Sequence, residues 1–320
     1  MNKPVALLAL AALTWPSFAA EPFPSRPIRM VVPYAPGGNV DISARIIAPY
    51  LTEALAQTVV VDNRPGGGGN LGAALVAKST ADGHTLLVGS SGPLSVNPVI
   101  FKKLPYDSLK DFAPVSTVQA VPLVVLASPR SGIQSIADLV ATAKSRPGKL
   151  TIASAGAGTT NHFAIELFAS MAGVRLLHVP YKGSGPALSE LLGGQVETMV
   201  DQLAASIGYV KDGRLRVLAV TTAQRAAALP QVPTLDELGY KGYQASTLLG
   251  LLAPAGTPKP VVTKLNAAVR RAMDNPAVAE RFRGLGANPG ASSPEEFSRR
   301  IRDELQQWQV LVKKLNLKFE

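Results

Sequence analysis

Short β-branched runs alternate with helical patterns along almost the whole chain, and this alternation constrains the fold more than any other feature. The runs Ile28 to Val32, Val59 to Val61 and Thr85 to Val88 are separated by helical patterns that start near Asn39 and Asn70. Strands spaced in this way by helices specify an α/β architecture with a parallel sheet. Pro49 falls inside the first helical pattern and predicts a kink or an early stop there. After a linking strand at Leu123 to Ala127 a second alternating set begins, with strands expected at 150–153, 176–179, 196–200 and 215–220.

Beyond Leu229-Pro230-Gln231-Val232-Pro233 there is one more apolar strand, Thr247 to Leu252, and then only helices, 258–273, 276–283 and 294–315. The last opens with Ser293, Pro294 and Glu296, the spacing of a capping box with proline at the first helical position. Helices without new strands do not build a third α/β unit, so they are expected to return and cover the first lobe. The chain then crosses between lobes twice, near Leu123 to Ser128 and near Tyr240 to Thr247, which makes a hinge with a site in the cleft. The expected division is a leader at 1–19, one lobe from 20–125 plus 243–320, and a second lobe from 126–242.

The leader is read from Lys3, the apolar run Val5 to Leu13 and the small residues of Ser17-Phe18-Ala19, which together have the form of a secretory signal cleaved after Ala19. That run is shorter than the roughly 20 residues a membrane span needs, which directs the chain to the periplasm as a freely diffusing protein. With no cysteine in 320 residues there is no lipid-anchor site, no disulfide framework and no thiol nucleophile. The formal charge of +10 is spread over isolated positions and four short pairs, so it reads as a solvated basic surface and not as a nucleic-acid arm.

Three turns at the carboxyl ends of expected strands run into helices: Pro33 to Asp41, Ser90-Ser91-Gly92, and Ser154 to Thr160. Free backbone N–H groups and the helix dipole at such places favour an anion. Each loop alone is equally well explained as turn chemistry; opposed loops from two lobes point to a ligand. A side chain at Gly158 is expected to occupy the ligand's place.

Gly67-Gly68-Gly69-Asn70-Leu71-Gly72 fits the dinucleotide fingerprint only formally, because the ribose-binding acid about 20 residues on is missing. The histidines, His84, His162 and His178, show no metal-ligand spacing, and no G-x-S-x-G elbow occurs, so neither a metal, a cofactor nor a catalytic residue is expected. His84 and His178 read as structural; His162, one turn into the helix after the Gly156 loop, either contacts ligand or packs. Asp41 either receives a ligand group or pairs with Arg45 at i+4. Asp201, at the end of a strand, lies where ligands bind in open α/β sheets.

These segments, in order, resemble the Bug-type receptors of tripartite tricarboxylate transporters. The matching pieces include Phe23-Pro24-Ser25-Arg26-Pro27-Ile28, Pro33-Tyr34-Ala35-Pro36-Gly37-Gly38 with Asp41, and Val61-Asp62-Asn63-Arg64-Pro65-Gly66. They continue with Ala81-Asp82-Gly83-His84, Val179-Pro180-Tyr181-Lys182-Gly183, Gly193-Gly194-Gln195-Val196 and Gly213-Arg214-Leu215-Arg216-Val217. The resemblance implies a type II periplasmic-binding (Venus flytrap) fold, a small carboxylate ligand, and delivery to the membrane components of a transporter by a monomeric, non-enzymatic protein. The ligand contacts it implies are Tyr34, Gly37, Gly38, Asp41, Ser90, Ser91, Ser154, Gly156, Gly158, Thr159 and Thr160, with Tyr181 and Asp201 shaping the far end. A receptor that presents its ligand to a sensor, or a periplasmic enzyme on the same scaffold, are the alternatives.

Overall fold

The computed structural model describes residues 23–317, so the expected leader lies outside the described residues. The first strand, β1 (Ile28–Val32), is buried along nearly its whole length, as a strand covered on both faces must be. It runs parallel between β2 (Val59–Asn63) and β3 (Thr85–Ser90). Helix α1 (Asn39–Leu55) joins β1 to β2, and α2 (Asn70–Ala77) leads to β3. The short α3 (Asn97–Ile100) follows β3, ahead of β4 (Phe112–Ala127).

The second set comprises α4 (Ile136–Ser145), β5 (Thr151–Ser154), α5 (Thr160–Ala172), β6 (Leu177–Pro180), α6 (Ser184–Gly193), β7 (Thr198–Gln202), α7 (Leu203–Lys211) and β8 (Arg216–Val220). The chain then returns through β9 (Ser246–Pro254), α8 (Lys259–Met273), α9 (Pro276–Gly284), β10 (Asn288–Pro289) and α10 (Pro294–Leu315).

The 16-residue β4 joins the two lobes. Its Phe112–Pro122 portion pairs antiparallel with β9, and its Leu123–Ala127 portion pairs with β7 and β8. Register shifts between Pro114 and Ser116 and between Thr117 and Gln119 bend the strand on the first-lobe side. The return crossing is equally sharp: Ala245 N donates to Thr221 O at 2.9 Å, and the next residue, Ser246, already pairs with Pro122. The sheet is therefore mixed, with β4 and β9 antiparallel inserts among parallel strands, where the alternation pattern alone predicted a parallel one.

Two sequence expectations are corrected. Helix α1 continues through Pro49 to Leu55, so the early stop does not occur. That residue sits on the exposed face, where water can satisfy the carbonyl it leaves free, while Ile46, Ile47, Leu51 and Leu55 hold the helix on the core. Helices α8 and α9 cover the first lobe as expected, but α10 spans both. Phe297 and Ile301 pack with Val31, Leu87 and Leu252 of the first lobe, whereas Trp308, two turns beyond Ile301, packs with its ring tilted against Phe163 of the second, the ring centroids 4.4 Å apart. The helix begins as its capping residues predict, with the Ser293 hydroxyl accepting from Glu296 N at 3.1 Å; the Glu296 carboxylate turns instead to Arg300. Among the described residues no helix is long and apolar enough to cross a membrane.

Candidate functional site

Four helices begin on one internal cavity. Helix α1 follows β1, α5 follows β5, α6 follows β6 and α7 follows β7, so the cavity lies at the carboxyl ends of strands from both lobes. Tyr34, Gly38, Asn39, Val40 and Ser90 line it from the first lobe, and Ala155, Thr159, Thr160, Ser184 and Gln202 from the second, closing it down to about 10 Å³. Larger open grooves run along α8 beside Arg270 and along α10 beside Trp308, away from these strand ends.

The caps explain why the cavity suits an anion. Gly38, Gly183 and Gln202 precede α1, α6 and α7 without any side-chain cap, leaving the first amides of those helices without intrahelical acceptors. Only α5 is capped from within, Thr159 Oγ1 accepting from His162 N at 3.3 Å. Among the described residues no Lys, Arg or His side chain lines the cavity, so an anion placed there would meet backbone N–H groups and helix dipoles. Tyr34, buried, shares a 3.0 Å hydrogen bond with Ser90 Oγ, and burial pushes its phenol up to about 12.

The lobes touch directly around this cavity. Ala35 N donates to Lys182 O at 2.9 Å, and Asn39 Nδ2 donates to Gln202 Oε1 at 2.7 Å. Gly68 lies so close to the Ala157 carbonyl that a Cβ there would stand 1.9 Å from its oxygen. A second cavity beside the first is lined by Tyr34, the Gly66 to Gly69 turn, the Ala155 to Ala157 turn and Tyr181. The glycine-rich turn that formally matches a dinucleotide fingerprint thus serves lobe closure.

Several expected contacts are placed elsewhere. Asp41 turns from the cleft: it accepts from Gly37 N at 3.0 Å, from Arg45 at 3.0 Å and from Asn63 at 3.0 Å. Burial alone would raise its carboxyl, but these donors outweigh that and hold it low. The Gly37 amide is thereby occupied as well. Ser91 donates to Glu304 of α10 at 2.8 Å, so its hydroxyl faces the helix that bridges the lobes.

In the 154–160 turn, Gly156 N is taken by Ser154 Oγ at 3.1 Å and Gly158 N by His162 Nδ1 at 3.2 Å. The free donors here are the first amides of α5, beginning at Thr160. A Cβ on Gly158 would meet Asn97 Oδ1 at 2.2 Å and Phe101 at 2.6 Å in the facing lobe, not the cavity.

The histidine pair behind this turn was only partly legible. His162 and His178 stack at 4.1 Å, and His178 Nε2 hydrogen-bonds Ser154 Oγ at 2.7 Å. Burial lowers His162 to about 3 and His178 to about 4, so both are neutral and brace the turn. Asp201 is fully buried beneath Ser184, and burial pushes its carboxyl up to about 7.

Asn39, Ser184 and Gln202 were missed. Each is the residue at or just before a helix start, but the expected starts of α6 and α7 fell at Pro186 and Ala204, which left Ser184 and Gln202 outside the helices. Among the described residues no cluster of three His, Cys, Asp or Glu could hold a metal ion.

The model of the tripartite tricarboxylate transporter family receptor matches residues 43–317. The chain belongs to that receptor family. The receptor is 39% identical over 314 residues to the protein BugT of Bordetella pertussis, covering 98% of this chain and 96% of that one. It also superposes on the periplasmic binding protein BugD with a TM-score of 0.89 at 36% identity, over 92% of this chain and 99% of that one. MatC from Rhodopseudomonas palustris with bound malate gives a TM-score of 0.88 at 35% identity, over 91% and 100% of the two chains. The receptor therefore has the two-lobed binding-protein fold, in a family of solute-binding receptors.

Proposed function

We propose that this receptor captures a small carboxylated solute in the periplasm, holding a carboxylate against the N-termini of α1, α5, α6 and α7 as the lobes close. The observation that carries this reading is the convergence of four helix starts on a cavity that no cationic side chain lines among the described residues. Each partly buried helix end contributes up to about 2 kcal/mol toward a negative group. Bound malate in MatC supports the ligand class.

The ligand acts by its differential affinity for the closed arrangement, which the membrane components of the transporter then recognise. On this reading Lys3 to Ala19 directs export, the protein works as a monomer, and the lobes divide where β4 and β9 change partners. They are then residues 23–122 plus 246–317 and residues 123–245, a few residues from the division expected from sequence.

The test is calorimetry and small-angle scattering of the purified mature protein with malate, succinate, citrate and benzoate. At 100 times its Kd a ligand adds about 2.7 kcal/mol of stability, and the radius of gyration should shrink as the ligand saturates. A panel in which no carboxylate binds would overturn the reading.

A further inference from the structure

The lining of the cavity is mostly a donor surface, and Ser184 departs from it. Ser184 is the first residue of α6, is buried, and faces Gly38 of the other lobe, where an added Cβ would stand 3.4 Å from the Ser184 Cβ. Its hydroxyl donates to Asp201 Oδ1 at 2.6 Å. Asp201 Oδ1 also accepts from Asn161 Nδ2 at 3.3 Å, and that amide is fixed by a 2.9 Å bond to Val200 O. Asp201 Oδ2 has no hydrogen-bond partner among the described residues.

A serine hydroxyl has one proton and two lone pairs. An ionised Asp201 can only accept. While Asp201 is ionised, therefore, the Ser184 proton is directed away from the cavity, and what Ser184 Oγ offers a ligand is a lone pair. The Ser184 amide, first in its helix, has no intrahelical acceptor and offers a donor beside it. One residue thus pairs a donor with an acceptor, the complement of a carboxylate oxygen next to a hydroxyl or ammonium on the adjoining carbon. An unsubstituted carboxylate leaves that acceptor facing carbon, and an unmet buried polar group is costly.

We propose that Ser184, oriented by Asp201, forms a subsite that selects carboxylates bearing a hydroxyl or ammonium on the carbon next to the bound carboxylate. Asp201 is here a positioning residue and Ser184 the contact. The inference rests on the reading of the cavity as a carboxylate site.

The test is calorimetry of matched pairs, malate against succinate and 2-hydroxyglutarate against glutarate, with the wild type, Ser184→Ala and Asp201→Asn. The wild type should bind the hydroxylated member about tenfold or more tightly. That ratio should fall below about threefold in Ser184→Ala. It should fall in Asp201→Asn as well, because an amide can turn its NH2 toward Ser184 and release the serine proton to the cavity. Circular dichroism confirms that each variant is folded. Equal wild-type affinities for both members, or a ratio unchanged in a folded Ser184→Ala protein, would overturn the subsite while leaving carboxylate capture standing. Failure of every one of these acids to bind the wild type would remove both.

Discussion

Gly158 is held at φ +82°, a left-handed conformation that side chains adopt at a cost, and it faces Asn97 across the cleft and not the cavity at the helix starts. Asn97 is itself fixed, its Nδ2 donating to Asn70 Oδ1 at 2.6 Å, so it cannot swing aside freely. Even Gly158→Ala should therefore obstruct closure, by contact and not by charge. Its expected outcome is a loss of carboxylate affinity of at least about tenfold, together with about 1–3 kcal/mol of destabilisation from backbone strain. Calorimetry with a carboxylate that binds the wild type, beside urea denaturation, checks both. Wild-type affinity in the alanine variant would show that the lobes do not need to meet at this turn.

Among the elements, α10 has the most unexpected role. Its apolar positions were legible in sequence, yet which body each would meet was not, because Phe297 and Trp308 are both simply core-facing residues of one amphipathic helix. Trp308 anchors its carboxyl half on Phe163 of the second lobe, while Glu304 between them accepts from Ser91 and Ser95 of the first. Trp308→Ala should cost about 3–5 kcal/mol, as removal of a large buried aromatic does, with the loss read in the urea midpoint. Ser293→Ala at the same helix's start should cost only about 1 kcal/mol, since one capping bond is lost. Similar small losses for both would mean that α10 is not a structural bridge between the lobes.

For the whole molecule, burial sets two opposing proton balances. His162 and His178 are lowered in the folded protein to about 3 and about 4 from 6.5, so their neutral forms favour folding above 6.5 and this stability is lost as pH falls below it. For His162 alone the loss at pH 5 is about 2 kcal/mol. Asp201 and Glu304 are raised by burial to about 7, so they oppose folding above that pH and the penalty is relieved as pH falls toward 4. The two pairs offset each other between pH 7 and 5, and the wild type should change little in stability across that window. Asp201→Asn lacks one relieving group and should lose stability more steeply on acidification, by about 2 kcal/mol at pH 5 relative to the wild-type trend. Parallel urea midpoints for the two proteins at pH 7, 6 and 5 would contradict this balance.

Most of the strand and helix order, the two-lobed fold and the strand-to-helix turns that line the cavity were legible in the chain, whereas α3, β10 and the first-lobe portion of β4 were not. The legible features depend on hydrophobic period, turn residues and caps, which act over a few neighbouring positions. What only the tertiary structure decided is which polar groups of those turns remain available. Asp41 occupies Gly37 N, His162 occupies Gly158 N, Glu304 draws Ser91 aside, and Asp201 orients Ser184. The deciding partners include Glu304, 213 positions from Ser91, and Gln202, 163 positions from Asn39. A hydrogen bond is committed by distance in space, and no local pattern in the sequence records which donor finds its acceptor across the fold.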